Sequence, residues 1–177
     1  MSPSRGAMVS VSAQTPLSAV LDDARTALAR RVSYLCFPGL SRGADANGSA
    51  NRRALCHDLD LPIVGHRRQS VTLSVGREGR DGRRFTVRGD LVSIAGRWRL
   101  EPCRAGVLAH LTLDYDVCAA LKEQAVNELR SRSPLPIRTD ADAILGRAVD
   151  DYFETRFAED AAAYCDRLRA RLEGPPS

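Results

Sequence analysis

Residues 91–117, LVSIAGRWRLEPCRAGVLAHLTLDYDV, constrain this chain more than any other stretch. A short polar break at 102–106 separates two alternating runs. In the first, Trp98, Leu100 and Pro102 share one side, with Arg97, Arg99 and Glu101 on the other. In the second, Val107, Ala109, Leu111, Leu113, Tyr115 and Val117 share one side, with His110, Thr112, Asp114 and Asp116 opposite. Alternation of period two over this length predicts antiparallel strands with one dry and one wet face, and the Gly in the break predicts a hairpin. The rest of the chain must supply a cover for the dry face.

A chain of 177 residues builds one core of ordinary size without staples. No apolar run reaches the roughly 18 residues of a membrane span, and the N-terminus lacks a signal-peptide core. A cytoplasmic protein without membrane insertion is expected. Five scattered cysteines and three histidines show no CxxC or zinc spacing, so idle thiols are favoured over disulfides, and no metal is expected. Lys122 is the only lysine among 26 basic residues, as in an Arg-rich, GC-rich bacterial proteome. Positions 52–104 carry twelve Arg against six acids, whereas 118–173 carry nine basic against eleven acidic groups. That excess on the sheet admits a nucleic-acid or anionic-membrane surface; a solvated outer face is favoured, and nucleic acid is disfavoured as a partner.

Residues 1–7 read as a flexible tail, and 8–173 as a single domain. Positions 8–14 alternate as a short strand, after which Thr15 and Pro16 suit the N-cap and first position of a helix reaching about Arg31. Residues 32–40 form either a short strand or a short helix, and 41–51 read as a loop. Leu55, His57, Leu59 and Leu61 share a parity, as do Val71, Leu73 and Val75, which Gln69 leads into. A polar turn is predicted over 77–82, and Phe85, Val87, Gly89 and Leu91 then share a face running into the opening hairpin. Residues 118–132 read as an extra helix, broken by Pro134 and Pro136. Thr139 and Asp140 cap a long helix over 140–173, in which Leu145, Val149, Phe153, Phe157, Ala161, Tyr164, Leu168 and Leu172 recur mostly every four residues. Four exceeds 3.6, so that stripe drifts round the axis, as it must to follow a twisted sheet. Gly174 and Pro175 stop the helix. A meander of strands followed by a helix predicts an α+β domain with helices on one face of an antiparallel sheet.

The segment Gly96-Arg97-Trp98-Arg99-Leu100-Glu101-Pro102, then Gly106 and an alternating strand ending in Tyr115-Asp116, resembles the G-x-W-x-L-x-P hairpin of the START-like, Bet v 1-like helix-grip superfamily, in its polyketide cyclase and coenzyme-Q-binding-like branch. The specific part spans roughly residues 83–117; the remainder agrees in element order. The resemblance implies a curved sheet of about six or seven strands wrapped on the long C-terminal helix, with an internal hydrophobic cavity. It also implies binding of a hydrophobic small molecule, and cyclisation or dehydration of a polyketide-like intermediate, a lyase or isomerase type of reaction in bacterial secondary metabolism such as antibiotic biosynthesis. The alternatives are a non-catalytic carrier of a lipid, quinone or pigment, and a ribosome- or RNA-associated relative. A homodimer stays open.

His57 has dry-face parity and suits a general acid or base. Tyr115, inward at the end of the last strand, suits a donor to a ketone or a developing enolate. Arg156, at the margin of the helix stripe, either holds an anion or pairs outward with Asp160. These three are the expected catalytic groups. The expected ligand walls are Tyr34, Phe85, Val87, Trp98, Leu100, Leu111 and Leu113, with Val149, Tyr152, Phe153 and Phe157 from the helix. No nucleophile elbow, P-loop or Rossmann glycine pattern occurs in the sequence, so no cofactor is expected.

Overall fold

The computed structural model describes residues 6–44, 50–132 and 141–174. The expectations for residues 1–5 of the tail, for 45–49 of the loop, for the Pro134–Pro136 break and for the Thr139–Asp140 cap lie outside these residues. Seven strands form one antiparallel sheet in the order β1-β7-β6-β5-β4-β3-β2. In chain order they are β1 (Ala7–Leu17), β2 (Leu40–Ala44), β3 (Ala50–Leu61), β4 (Gly65–Gly79), β5 (Gly82–Arg88), β6 (Val92–Cys103) and β7 (Gly106–Val117). Helix α1 (Leu21–Ala29) and a 3-10 turn (Arg31–Cys36) lie between β1 and β2, and α2 (Ala119–Arg132) and α3 (Ala141–Glu173) follow β7. The sheet curls into a half-barrel round α3, which makes the molecule an α+β helix grip. At 33 residues α3 is about 50 Å long.

The opening hairpin takes the register that its alternation dictates. Trp98 stands opposite Leu111, Gly96 opposite Leu113, and Cys103 opposite Gly106 across a two-residue turn. Val107, Ala109, Leu111, Leu113, Tyr115 and Val117 are all buried, and α3 turns Val149, Phe153, Phe157, Ala161, Tyr164 and Leu168 onto the same core. Gly96 is required by packing: a Cβ there would stand 2.1 Å from Phe85 Cζ on the neighbouring strand. The phenyl ring of Phe85 occupies the space a side chain would take.

Three expectations are corrected. Thr15 and Pro16 do not open a helix. They continue β1 opposite Ala109 and Leu108, and Thr15 is buried. Because β1 is an edge strand, Pro16 loses no ladder bond there. The helix begins instead at Leu21, after Val20, with no side-chain cap. Residues 41–44 are also strand rather than loop: Ser41 and Arg42 stand opposite Cys56 and Leu55, so backbone pairing with β3 orders a segment that has little to bury. The turn expected over 77–82 shrinks to Arg80 and Asp81, because β4 runs on through a bulge between Val75 and Glu78 to pair Gly79 with Gly82. Residues 32–40, for which a short strand and a short helix are both open, divide: 32–36 belong to the 3-10 turn and Leu40 begins β2.

Candidate functional site

The side of the sheet that faces α3 carries two groups of packed aromatic rings. In one, Tyr164 of α3 is at the centre, with Phe37, Trp98 and Phe85 edge-on at centroid distances of 5.2, 5.4 and 6.5 Å. Tyr34 tilts over Phe85 at 4.8 Å, and His57 stands edge-on to Phe37 at 5.8 Å. In the other, Tyr115 lies flat on Phe157, 3.9 Å apart and 2° from parallel, with Phe153 stacked beyond it and Tyr152 tilted beside Phe153. His57 comes from β3 and Tyr115 from β7 because both follow the apolar parity of their strands.

Three polar atoms on this side are buried without a hydrogen-bond partner, Thr15 Oγ1, His57 Nδ1 and Tyr115 OH, while Trp98 Nε1 and Tyr164 OH have only each other. Each such atom costs on the order of 1–3 kcal/mol in desolvation until something bonds to it. Tyr34 differs, since its hydroxyl donates to Leu28 O at 2.8 Å. Burial is the largest influence on the protonation of His57, Tyr34, Tyr115 and Tyr164. It pushes His57 down to about 4, against opposing pulls from the Asp58 carboxylate and the Pro38 carbonyl. It pushes Tyr34 up to about 12, with Arg83 opposing, and raises Tyr115 further, with the Asp160 carboxylate adding to the effect. The Tyr164 hydroxyl is likewise raised well above its ordinary value by burial. At neutral pH the site therefore holds neutral imidazole and protonated phenols.

Between β3 and α3 a cleft of about 260 Å³ opens, lined by Pro38, Gly39, Asp58, Leu59, Asp60, Leu61 and His66 on one side and Arg156, Phe157, Asp160 and Arg167 on the other. Of the three expected catalytic residues only Arg156 lines this cleft; Tyr115 and His57 are set back from it. Tyr115 lies behind Phe157. His57 lies behind the Pro38–Gly39 wall, where a Cβ on Gly39 would stand 3.2 Å from its Cδ2. Gly39 holds φ at 76°, and that added Cβ would also strike Asp58 O at 2.1 Å, so only glycine shapes this wall. Arg156 is at the rim, bonded to Glu159 at 3.1 Å and paired with Asp160 at 3.3 Å. Burial raises the Asp160 carboxyl, and Arg156 opposes the rise. No hydrogen bond or ion pair joins His57, Tyr115 and Arg156 to one another among the described residues.

The expected wall residues Tyr34, Phe85, Val87, Trp98, Leu111, Leu113, Val149, Phe153 and Phe157 are buried in one core. Leu100 and Tyr152 are half-buried against it. Four residues with a place in the site were not among those expected. Phe37 and Tyr164 link the two halves of the first ring group, and Tyr164 was visible in the α3 stripe. Asp160 faces the cleft. Arg83 shares the parity of Phe85 and Val87, stands opposite Trp98, and keeps a buried Nε without a partner while its Nη1 donates to Gly76 O at 2.8 Å. Parity pointed to Arg83, and its charge hid it.

Among the described residues, no group of side chains has a metal-binding arrangement, and no helix is long and apolar enough to cross a membrane. No protein-family model and no curated protein matches the sequence. Solved structures do match its fold. The Zhui aromatase/cyclase from Streptomyces sp. R1128 shares 13% identity over 94% of both chains with a TM-score of 0.53. The di-domain ARO/CYC BexL from the BE-7585A biosynthetic pathway shares 12% identity over 96% of this chain and 51% of its own, with a TM-score of 0.50. A START superfamily protein from Mycobacterium smegmatis shares 14% identity over 94% of this chain and 97% of its own, with a TM-score of 0.49. Similarity at these identities is similarity of fold.

Proposed function

We propose, for a chain with the START-like, Bet v 1-like helix-grip fold, that the space between sheet and α3 takes up a hydrophobic small molecule bearing keto or hydroxyl groups, and that the protein promotes its cyclisation or dehydration. The observation that carries this reading is the set of orphaned polar atoms buried between sheet and helix, Thr15 Oγ1, His57 Nδ1 and Tyr115 OH. A purely structural core would rarely keep so many unsatisfied groups, whereas a ligand with several oxygens would satisfy them. Two fold neighbours are named as an aromatase/cyclase and a di-domain ARO/CYC, which is in keeping with ring-forming chemistry. In this reading Tyr115, kept protonated by burial, donates to a ketone as it becomes an enolate. His57, kept neutral, relays a proton through Nδ1. Arg156 balances charge at the rim beside Asp160. The remaining apolar wall residues hold the chain in a reactive fold and exclude water.

One observation favours the second reading, a carrier without turnover: an imidazole with a pKa of about 4 is a weak base. A single experiment separates the two. Trp98 is the only tryptophan and stands on the wall, so its emission reports directly on an enclosed ligand. Polyphenols, quinones, fatty acids and poly-β-ketone mimics are titrated against Trp98 emission, and the mixtures are then examined for dehydrated products by mass spectrometry. Binding with products, lost in His57→Ala and Tyr115→Phe, supports the enzyme. Binding without products supports the carrier, and no change in emission with any of these classes refutes both.

A further inference from the structure

The opposite face of the sheet carries a second constellation that the ligand reading does not use. We propose that the outer face of β5, β6 and β7 docks a partner protein through an acidic surface of that partner. Two shallow clefts adjoin there. One, of about 220 Å³, is lined by Arg80, Asp81, Arg97, Arg99, His110 and Thr112. The other, of about 300 Å³, is lined by Arg84, Ala95, Gly96, Arg97, Thr112 and Asp114. Arg97 and Thr112 belong to both and stand opposite each other across β6 and β7. Arg84 stands opposite Arg97 on the other side, so a row of Arg84, Arg97 and Thr112 crosses three strands. Positions so paired lie about 4.8 Å apart between strands, and Arg97 and Arg99 are about 6.7 Å apart along one.

The local counter-charges do not use up this charge. Arg84 has Asp81 at 3.8 Å, both exposed, and Arg99 shares Glu101 with His110, whose Nε2 is 3.2 Å from that carboxylate. Arg80 and Arg97 have no carboxylate within ion-pair distance among the described residues. Exposed guanidinium groups without carboxylate partners, Arg97 on β6 and Arg80 in the turn before β5, are poised for anions from outside.

The surroundings select a protein as the source of those anions. All nine aromatic side chains lie on the inner side of the sheet, on α3 or in the 3-10 segment with the residue after it, so no ring is offered for stacking nucleobases. Met8, on the edge strand β1 beside β7, is the one exposed large apolar side chain of this face among the described residues, too little to enter a lipid surface. Asp81, Asp114 and Glu101 are interleaved with the arginines and would repel an unbroken phosphate backbone. A protein surface can set carboxylates against Arg84, Arg97 and Arg99 and hydroxyls or cations against those acids.

Three probes at low ionic strength test this: a peptide alternating Glu and Ser, poly(U) of equal charge, and vesicles containing anionic lipid. Alternate Glu residues of an extended peptide match the spacing of Arg97 and Arg99. The expected result is salt-sensitive binding of the peptide, weakened about tenfold by Arg84→Gln with Arg97→Gln, and weaker binding of the other two. Tighter binding of poly(U) or of the vesicles would overturn the protein assignment, and no binding of any probe would overturn the docking surface itself. An unchanged unfolding midpoint and unchanged Trp98 response to ligand in the double variant show that the inner site is intact, so this proposal can fail without the ligand reading and the reverse.

Discussion

Helix α3 faces two strands at opposite sides of the same curled sheet, β1 and β3, and the two seams differ. Along β1 it packs closely over Ala7, Val9 and Val11, and at the far end the Ser18 N–H donates to the Glu173 carboxylate at 2.6 Å. Along β3 the cleft of about 260 Å³ intervenes. The side chains account for the difference. Small and β-branched apolar groups on β1 let the helix approach and cover an edge whose backbone would otherwise face water. At the other seam Asp58 and Asp60 on β3 face Arg156, Asp160 and Arg167 on α3, and charges held in a narrow gap keep either water or partners. The grip is closed with apolar groups on one side and kept open with charge on the other, and the buried polar groups with chemistry to offer, His57 and Tyr115, lie behind the open side.

The largest expected effect breaks the open seam at its floor. Phe157 is stacked on both Tyr115 and Phe153, so Phe157→Ala should cost about 3–5 kcal/mol in urea unfolding. Val11→Ala, at the sealed seam, removes two methyl groups and should cost about 1.5 kcal/mol. Equal costs at the two positions would mean that the floor of the cleft is not packed as described.

Acid should act on the open seam next. His57 is lowered to about 4 in the folded chain from an ordinary 6.5, so between these values the unfolded chain binds the extra proton. Stability is therefore full above about 6.5 and is lost as pH falls through the window toward 4, by up to about 3 kcal/mol. Asp160, raised by burial and faced by Arg156, Glu159, Arg167 and Asp60, acts in the opposite direction and blunts the loss. Unfolding free energies measured across this range should fall steeply in the wild type and far less in His57→Leu. A wild type with no such slope would place His57 in water rather than behind the Pro38–Gly39 wall.

How far the sequence revealed this arrangement depended on which signal each residue carried. Strand parity placed Trp98, Leu111, Leu113, Tyr115 and His57 on the inner side because a one-residue slip would have turned every one of them outward. The α3 stripe was equally plain, since its drift and the twist of the sheet are the same geometry. Thr15 and Pro16 misled because their local chemistry suits a helix start, and only the edge position of β1 makes a strand proline harmless. Residues 41–44 misled because β2 is held by backbone pairing to β3, which leaves no mark in the side chains. The cleft itself was not visible: it depends on the separation of α3 from β3, a tertiary distance that neither segment encodes alone.

The smallest expected effect decides how wet the open seam is. Arg156 pairs with Glu159 and Asp160 on its own helix, and its side chain keeps 29% of its exposure. A pair so placed contributes about 0.3–0.5 kcal/mol. A double-mutant cycle of Arg156→Gln with Asp160→Asn, read by urea unfolding at neutral pH, should therefore give a coupling below about 1 kcal/mol. It should shrink further in acid, because burial raises the Asp160 carboxyl and it protonates early. A coupling of several kcal/mol would put the pair in a dry environment. The seam beside β3 would then be sealed as firmly as the one beside β1, and access to Tyr115 and His57 would need another route.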